Sequence, residues 1–154
     1  MGRLLAAPTS KSRFKQGVYT PVNPDKYLGD PTKIRYMSGW ELEACRFFDN
    51  NPNIIAWNSE DVIIPYVKPT TGRVHRYVVD FLVQYVDRNG NTKIELLEVK
   101  PKKQTKRSRS KNPKTRLYED IEFAINQAKW QAAAQYAAQR GWTFKVVTEN
   151  DVFR

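Results

Sequence analysis

The feature that most constrains this fold is a pair of apolar, β-branched stretches on either side of a tight-turn signal. HRYVVDFLVQYVD (75–87) reads as one long strand and KIELLEVK (93–100) as another, with Arg88-Asn89-Gly90-Asn91 between them. Asn-Gly between such runs is the strongest short-range hairpin signal. Side chains alternate along a strand, so Glu98 and Lys100 share one face and Val99 points into the core. Whether Asp80 joins that face depends on the loop. A two-residue Asn89-Gly90 turn would set Asp80 opposite Val99, on the wrong side. An odd-numbered loop or a bulge is therefore expected. With a three-residue loop, Asn89 to Asn91, Arg88 pairs with Thr92 and Asp80 faces Lys100.

The other segments suit a single domain, which is what 154 residues allow. Residues 1–37 are rich in Pro, Gly, Ser and Lys without a sustained period and read as an extended basic arm. The domain proper is expected over 38–154. Ser38 caps a helix carrying Trp40, Ala44, Phe47 and Phe48, and Pro52 lies just beyond its end. NIIAW and DVIIPYV are short strands, and PTTGRV is a turn. A long helix is expected over LYEDIEFAINQAKWQAAAQYAAQRG. Its apolar stripe would be Ile121, Ala124, Ile125, Ala128, Ala132 and Tyr136, with Gly141 as C-cap. WTFKVVTEN closes the chain as a strand. The class is α/β: a mixed β-sheet flanked by helices. No apolar run approaches the roughly 20 residues of a membrane helix. The lone Cys45 excludes an internal disulfide framework and fits a reducing, cytoplasmic setting.

Charge is concentrated. The formal net charge is +10, and PKKQTKRSRSKNPKTR (101–116) supplies eight cations and no acid. Such a segment suits a polyanion, with Lys102, Lys103, Lys106, Arg107, Arg109 and Lys111 as nucleic-acid contacts. It is expected to be mobile until bound. The bland alternative is a solvated loop without a partner.

Two carboxylates and an ammonium converging at the end of a hairpin require an explanation. Clustered carboxylates repel, and a divalent cation relieves this. Asp and Glu oxygens are hard ligands suited to Mg²⁺, with Mn²⁺ as substitute. A bound cation acidifies water and neutralises charge on a phosphate, and a lysine beside it stabilises the transition state. That equipment suffices for phosphodiester hydrolysis. D…E-x-K is nonetheless a weak pattern, and a solvated strand face reads the same way. The acids stand out here because VVDFLV and ELLEVK are otherwise strongly apolar. Glu41 is the third carboxylate of choice, although Ser38-x-x-Glu41 is also a capping box. Glu60 is a weaker candidate. His75, the only histidine, suits either a DNA contact or a strand-edge hydrogen bond.

Four blocks, SGWELEACRFFDNNPNIIAWNSEDVIIPY, GRVHRYVVDFLV, LLEVKP and NQAKWQAAAQYAAQRGWTFKVVTE, resemble the head-completion nucleases of T-even-like tailed phages. They are also similar to the TnsA-type endonuclease domain of the PD-(D/E)XK superfamily. The resemblance covers about residues 36–150. It implies a restriction-endonuclease-like core with Glu41, Asp80, Glu98 and Lys100 catalytic and the three acids holding metal. Val79 stands where the family usually has proline, and Gln127 or Lys129 would fill an accessory helical place. It further implies cutting of packaged double-stranded DNA during head completion, with head, portal or neck proteins as partners and no membrane. The protein would then act in the host cytoplasm and could remain with the virion. A structural DNA-binding or portal-docking protein without catalysis, or a junction or transposon-end endonuclease, would share these features.

Overall fold

The computed structural model describes residues 16–148 and residue 151. The hairpin forms between β6 (Phe81–Val86) and β7 (Thr92–Val99), antiparallel, with Phe81 opposite Leu97 and Val86 opposite Thr92. The loop is odd-numbered, as expected, but five residues long instead of three. Asp87 sets its length: its Oδ1 accepts the Asn89 and Asn91 N–H groups, both at 2.9 Å, and its own N–H donates to the Asn91 carbonyl. Gly90, at φ 80°, takes the left-handed turn. Continued by one residue, this register puts Asp80 across from Glu98 and not Lys100.

The stretch 75–87 is two strands, not one. β5 (Val74–Val78) pairs with β4 (Ile63–Val67) in a separate two-stranded ribbon, while β6 pairs with β3 (Ile54–Ser59) in the main sheet. The core residues show the break. Tyr77 and Val79 belong to one hydrophobic cluster, whereas Phe81 and Val83, of the same parity, belong to the other. The chain must therefore turn over at Asp80.

The main sheet has the order β3-β6-β7-β8, with β8 (Thr143–Val147) parallel to β7 and the other pairs antiparallel. Parallel neighbours need a crossover, and α2 (Pro113–Gln139) supplies it. Asn112 caps α2, its side chain accepting from the Lys114 and Thr115 N–H groups, and Pro113 occupies the first turn. The helix thus begins four residues before Leu117, and the last residues of the basic segment are helical. Gly141 (φ 74°) ends it as expected, with Trp142 N–H returning to the Ala137 carbonyl. The buried line of α2 is Ile125, Asn126, Trp130, Ala133 and Ala137; of the expected stripe Ile125 is buried, Ala128, Ala132 and Tyr136 pack half-buried against the same cluster, and Ile121 and Ala124 are exposed.

α2 and the ribbon cover one face of the sheet, with Leu82 and Leu96 between them. α1 (Gly39–Asn50) covers the other, packing Leu42, Cys45 and Phe48 onto Phe81, Val83 and Leu97. The expected arm does not hold as a separate region for residues 16–37. β1 (Gly17–Val18) pairs with β2 (Arg35–Tyr36), and Tyr19 and Ile34 are buried in the α1 cluster. Leu28 N–H donates to the Trp57 carbonyl at 2.8 Å. The fully buried Asp49 of α1 accepts from the Tyr19 hydroxyl (2.6 Å) and from the Val22 and Asn23 amides (2.7 and 2.9 Å). The boundary at 37/38 therefore falls inside the packed domain. The first part of the expected arm, residues 1–15, lies outside the described residues.

Candidate active site

Glu60 is the one described non-glycine residue with positive φ, at 54°. Its N–H donates to the Asp80 carbonyl at 3.0 Å, and the Val79 N–H donates to the Val62 carbonyl at 2.9 Å. The run β3–β4 and the run β5–β6 therefore bend together, at Glu60 and Asp80. The bend brings the Asp80 side chain to the end of β7, where its Oδ2 accepts the Val99 N–H at 2.8 Å.

There it meets Glu98. The Asp80 carboxyl is held well above the usual carboxylate range. Burial is the largest cause, followed by the charge of Glu98 and a hydrogen bond shared with it; the Val99 N–H opposes the shift, and Glu41 adds to it. Glu98 itself is 5 % exposed and lies on the α2 side, where the Trp130 indole donates to its Oε2 at a long 3.5 Å. The buried Tyr77 hydroxyl stands against Glu98 without reaching ordinary hydrogen-bond geometry. Burial and then Glu98 push its pKa up. No lysine or arginine among the described residues ion-pairs with Asp80 or Glu98.

Glu41 makes the capping box. Its N–H donates to Ser38 Oγ at 3.2 Å, Ser38 Oγ donates to its Oε2 at 3.2 Å, and its Oε1 accepts the Met37 N–H at 3.3 Å. It also lies in the field of the site. Its pKa is raised by burial first, then by the charges of Glu60 and Glu98, against the hydrogen bonds from Met37 and Ser38. Glu60, the weaker candidate, is thus the residue that stands beside Glu41. Among the described residues, however, no three acidic, histidine or cysteine side chains are close enough to form a ready-made metal cage. The close pair is Asp80 and Glu98, with Glu41 and Glu60 at its rim.

Lys100 follows β7, its N–H donating to the Val147 carbonyl at 2.9 Å. It lines a cleft of about 280 Å³ with Lys103, Lys106, Glu119, Glu122 and Asn126. A second cleft of about 560 Å³ is lined by Lys102, Lys103, Lys106, Arg107 and Arg109. The segment between them starts with a 3₁₀ turn, Lys102–Thr105, and Ser108 Oγ donates to Glu119 at 2.8 Å. Lys111 is exposed and lines neither cleft.

The accessory candidates separate. Lys129 is half-buried, its Nζ 5.8 and 5.7 Å from the Tyr66 and Tyr77 ring centres, behind the hydroxyl that faces Glu98. Gln127 is exposed on another side of α2. His75 sits near the ribbon turn, its Nε2 3.3 Å from Thr71 Oγ1, and is not brought to the carboxylates. Sequence reasoning overlooked Asn126, only 7 % exposed, and the partners of Glu98, Tyr77 and Trp130. A signal existed: Asn126 and Trp130 are one helical turn apart, so a buried tryptophan implies a buried asparagine.

A family model for the N-terminal domain of TnsA-like endonucleases matches residues 51–149. The chain belongs to that family. The match contains Glu60, Asp80, Glu98, Lys100, the basic segment and both clefts, and it begins after α1, so Glu41 lies outside it. Across the longer alignment this TnsA-like chain is 37 % identical, over 140 residues, to the head completion nuclease of Enterobacteria phage T4. That alignment covers 87 % of the chain and 91 % of the phage protein. No solved structure matches it significantly.

Proposed function

We propose that this TnsA-like chain is a divalent-cation-dependent nuclease that hydrolyses phosphodiester bonds in double-stranded DNA on a restriction-endonuclease-like core. The observation that carries the reading is the Asp80–Glu98 pair: two carboxylates crowded at a strand bend, without an ion-paired lysine or arginine among the described residues. Hard oxygen donors in a charge-starved corner fit Mg²⁺ or Mn²⁺. Asp80 and Glu98 would hold the cation directly, and Glu41 and Glu60 at the rim would take its bound waters. A bound cation supplies an acidified water and a counter-charge to the phosphate. Lys100, the residue after β7, lines the adjoining cleft and would orient the scissile phosphate or the attacking water from there. The Val99 N–H fixes the Asp80 carboxylate, and the Trp130 indole approaches Glu98 at 3.5 Å. Lys102 to Lys111 carry the neighbouring backbone phosphates without reading bases.

The likeness to the T4 head completion nuclease supports a place in phage head completion, and cutting of packaged DNA would be its task there. Head, portal or neck proteins would be its partners, in the host cytoplasm or in the virion. A non-catalytic docking role is disfavoured because Asp80, Glu98 and Lys100 are all present.

Linear and circular duplex DNA incubated with Mg²⁺, Mn²⁺ or EDTA tests this. Cleavage is expected with either metal and not with EDTA. Asp80→Asn and Glu98→Gln should abolish it, while Lys100→Ala should lose turnover and keep Mn²⁺ binding by calorimetry. Cleavage in EDTA, or a normal rate in Lys100→Ala, would overturn the respective assignment.

A further inference from the structure

The β4–β5 ribbon has an outer face that none of the other described residues covers. Its inner face, Ile64, Tyr66 and Tyr77, packs beneath α2. Outward point the cross-strand pairs Ile63–Val78, Pro65–Arg76 and Val67–Val74, all exposed, with Val74 at 70 %. The tip adds Lys68, Thr70 and Arg73 around the Gly72 turn. Between Asp61 and Asp80 the chain has no acid and three cations, Lys68, Arg73 and Arg76.

The charge distribution gives this face a meaning. Of the formal +10, eight charges lie in residues 101–116 and three in the ribbon, so all remaining residues together carry −1. That remainder combines the acid-free residues 1–24, with Arg3, Lys11, Arg13 and Lys15, and a net −5 over everything else. Of the acid-free cationic stretches, the ribbon and residues 101–116 adjoin the Asp80–Glu98 corner. The ribbon runs into it through Val79, and the basic segment leaves it through Lys100. The ribbon also resists the commoner fate of an exposed strand pair. Pro65, in the middle of β4, lacks an N–H to donate to an added strand, and Arg76 stands opposite it.

We propose that the β4–β5 ribbon is a second DNA-contacting element. It enters the major groove beside the cleavage point, with Arg73, Arg76 and Lys68 on phosphates and the aliphatic side chains against base edges. A two-stranded ribbon fits that groove, and thymine methyls accept apolar contact. Five-residue strands span roughly 17 Å at about 3.4 Å per residue, enough to cross it. The duplex would then be held on both sides of Lys100. This inference rests on the DNA reading given above.

The test uses the full chain in EDTA. Cys45 is buried and its thiol is pushed up to about 12, so it will not compete with an introduced cysteine for a maleimide photo-crosslinker. Val74→Cys, labelled, should crosslink duplex DNA on irradiation, and labelled Asn89→Cys, in the loop at the other end of β6, should not. Arg73→Ala/Arg76→Ala should weaken duplex binding several-fold by fluorescence anisotropy. The slope of log affinity against log salt should fall by up to about 0.9 for each phosphate the variant no longer neutralises. If wild-type protein binds DNA with these arginines dispensable and Val74→Cys silent, the ribbon assignment fails and the DNA reading stands. If Val74→Cys crosslinks to a second copy of the chain and the arginines leave DNA affinity unchanged, the face joins copies and the proposal is overturned. If wild-type protein binds no duplex at all, the DNA reading itself falls.

Discussion

Asp80 is a residue kept in an unfavourable state. Burial and Glu98 hold its carboxyl well above the usual range, so a charge there costs the folded protein stability. A carboxyl raised on folding contributes stability below its unfolded pKa, about 3.9, and loses that contribution as pH rises through the higher folded value. Asp80→Asn keeps an oxygen for the Val99 N–H and removes the charge. In EDTA it should melt above wild type at pH 7 to 8, and the difference should vanish near pH 4. Divalent cation should raise the wild-type melting temperature at pH 8 and leave the variant nearly unmoved. Equal melting temperatures across that pH range would mean the pair is not strained.

Among the elements, residues 16–37 show how prolines and glycines can disguise a structural segment. Their anchors are far apart in sequence: Tyr19, Val22 and Asn23 converge on Asp49, and Ile34 fills the α1 cluster. Burial pushes the Asp49 pKa up, but the hydrogen bonds from Tyr19, Val22 and Asn23 outweigh it, and the net shift is downward. The sign is thus opposite to that of Asp80: the stabilisation is present above the unfolded pKa and is lost as pH falls through the folded one. Asp49→Ala strands three donors and should cost about 3 kcal/mol, given roughly 1.5–3 for a single hydrogen bond to a charged group. That corresponds to a fall of roughly 6–12 °C in melting temperature at pH 7, narrowing in strong acid. A chain starting at Ile34 should be less stable still. A truncated chain that melts at the full-length temperature would restore the picture of a separable arm.

At the scale of the whole molecule, the densest run of cations, residues 101–116, directly follows the carboxylate corner in the chain. Neutralising Lys106, Arg107, Arg109 and Lys111 should weaken duplex binding and flatten its salt dependence, by up to about 0.9 in slope for each phosphate left without its cation. Cleavage at saturating DNA and low salt should be affected less, because none of the four touches Asp80 or Glu98. An unchanged slope would mean that the segment serves a protein partner. Melting temperature should not fall, since these side chains are solvent-exposed.

Periodicity, turn chemistry and charge are local properties, and the sequence alone determined what depends on them. These are the hairpin, both helices, the mixed α/β class, the odd-numbered loop, the basic segment, and the joint choice of Asp80, Glu98 and Lys100 as candidates. Block similarity added the family, which the matched family model bears out. Three things required the tertiary structure. The turnover of the chain at Asp80 depends on which cluster takes Tyr77 and which takes Phe81, a competition between two cores that a run of apolar residues cannot reveal. The place of residues 16–37 depends on the buried Asp49, whose partners are named only by the fold. The inward face of α2 carries Trp130 and Asn126 beside Ile125, Ala133 and Ala137, with Ala128, Ala132 and Tyr136 of the expected stripe at its edge, because the groove it fills lies between the sheet and the ribbon. In each case an interaction distant in sequence outweighed a local preference, because burial energy is summed over neighbours that only the folded chain brings together.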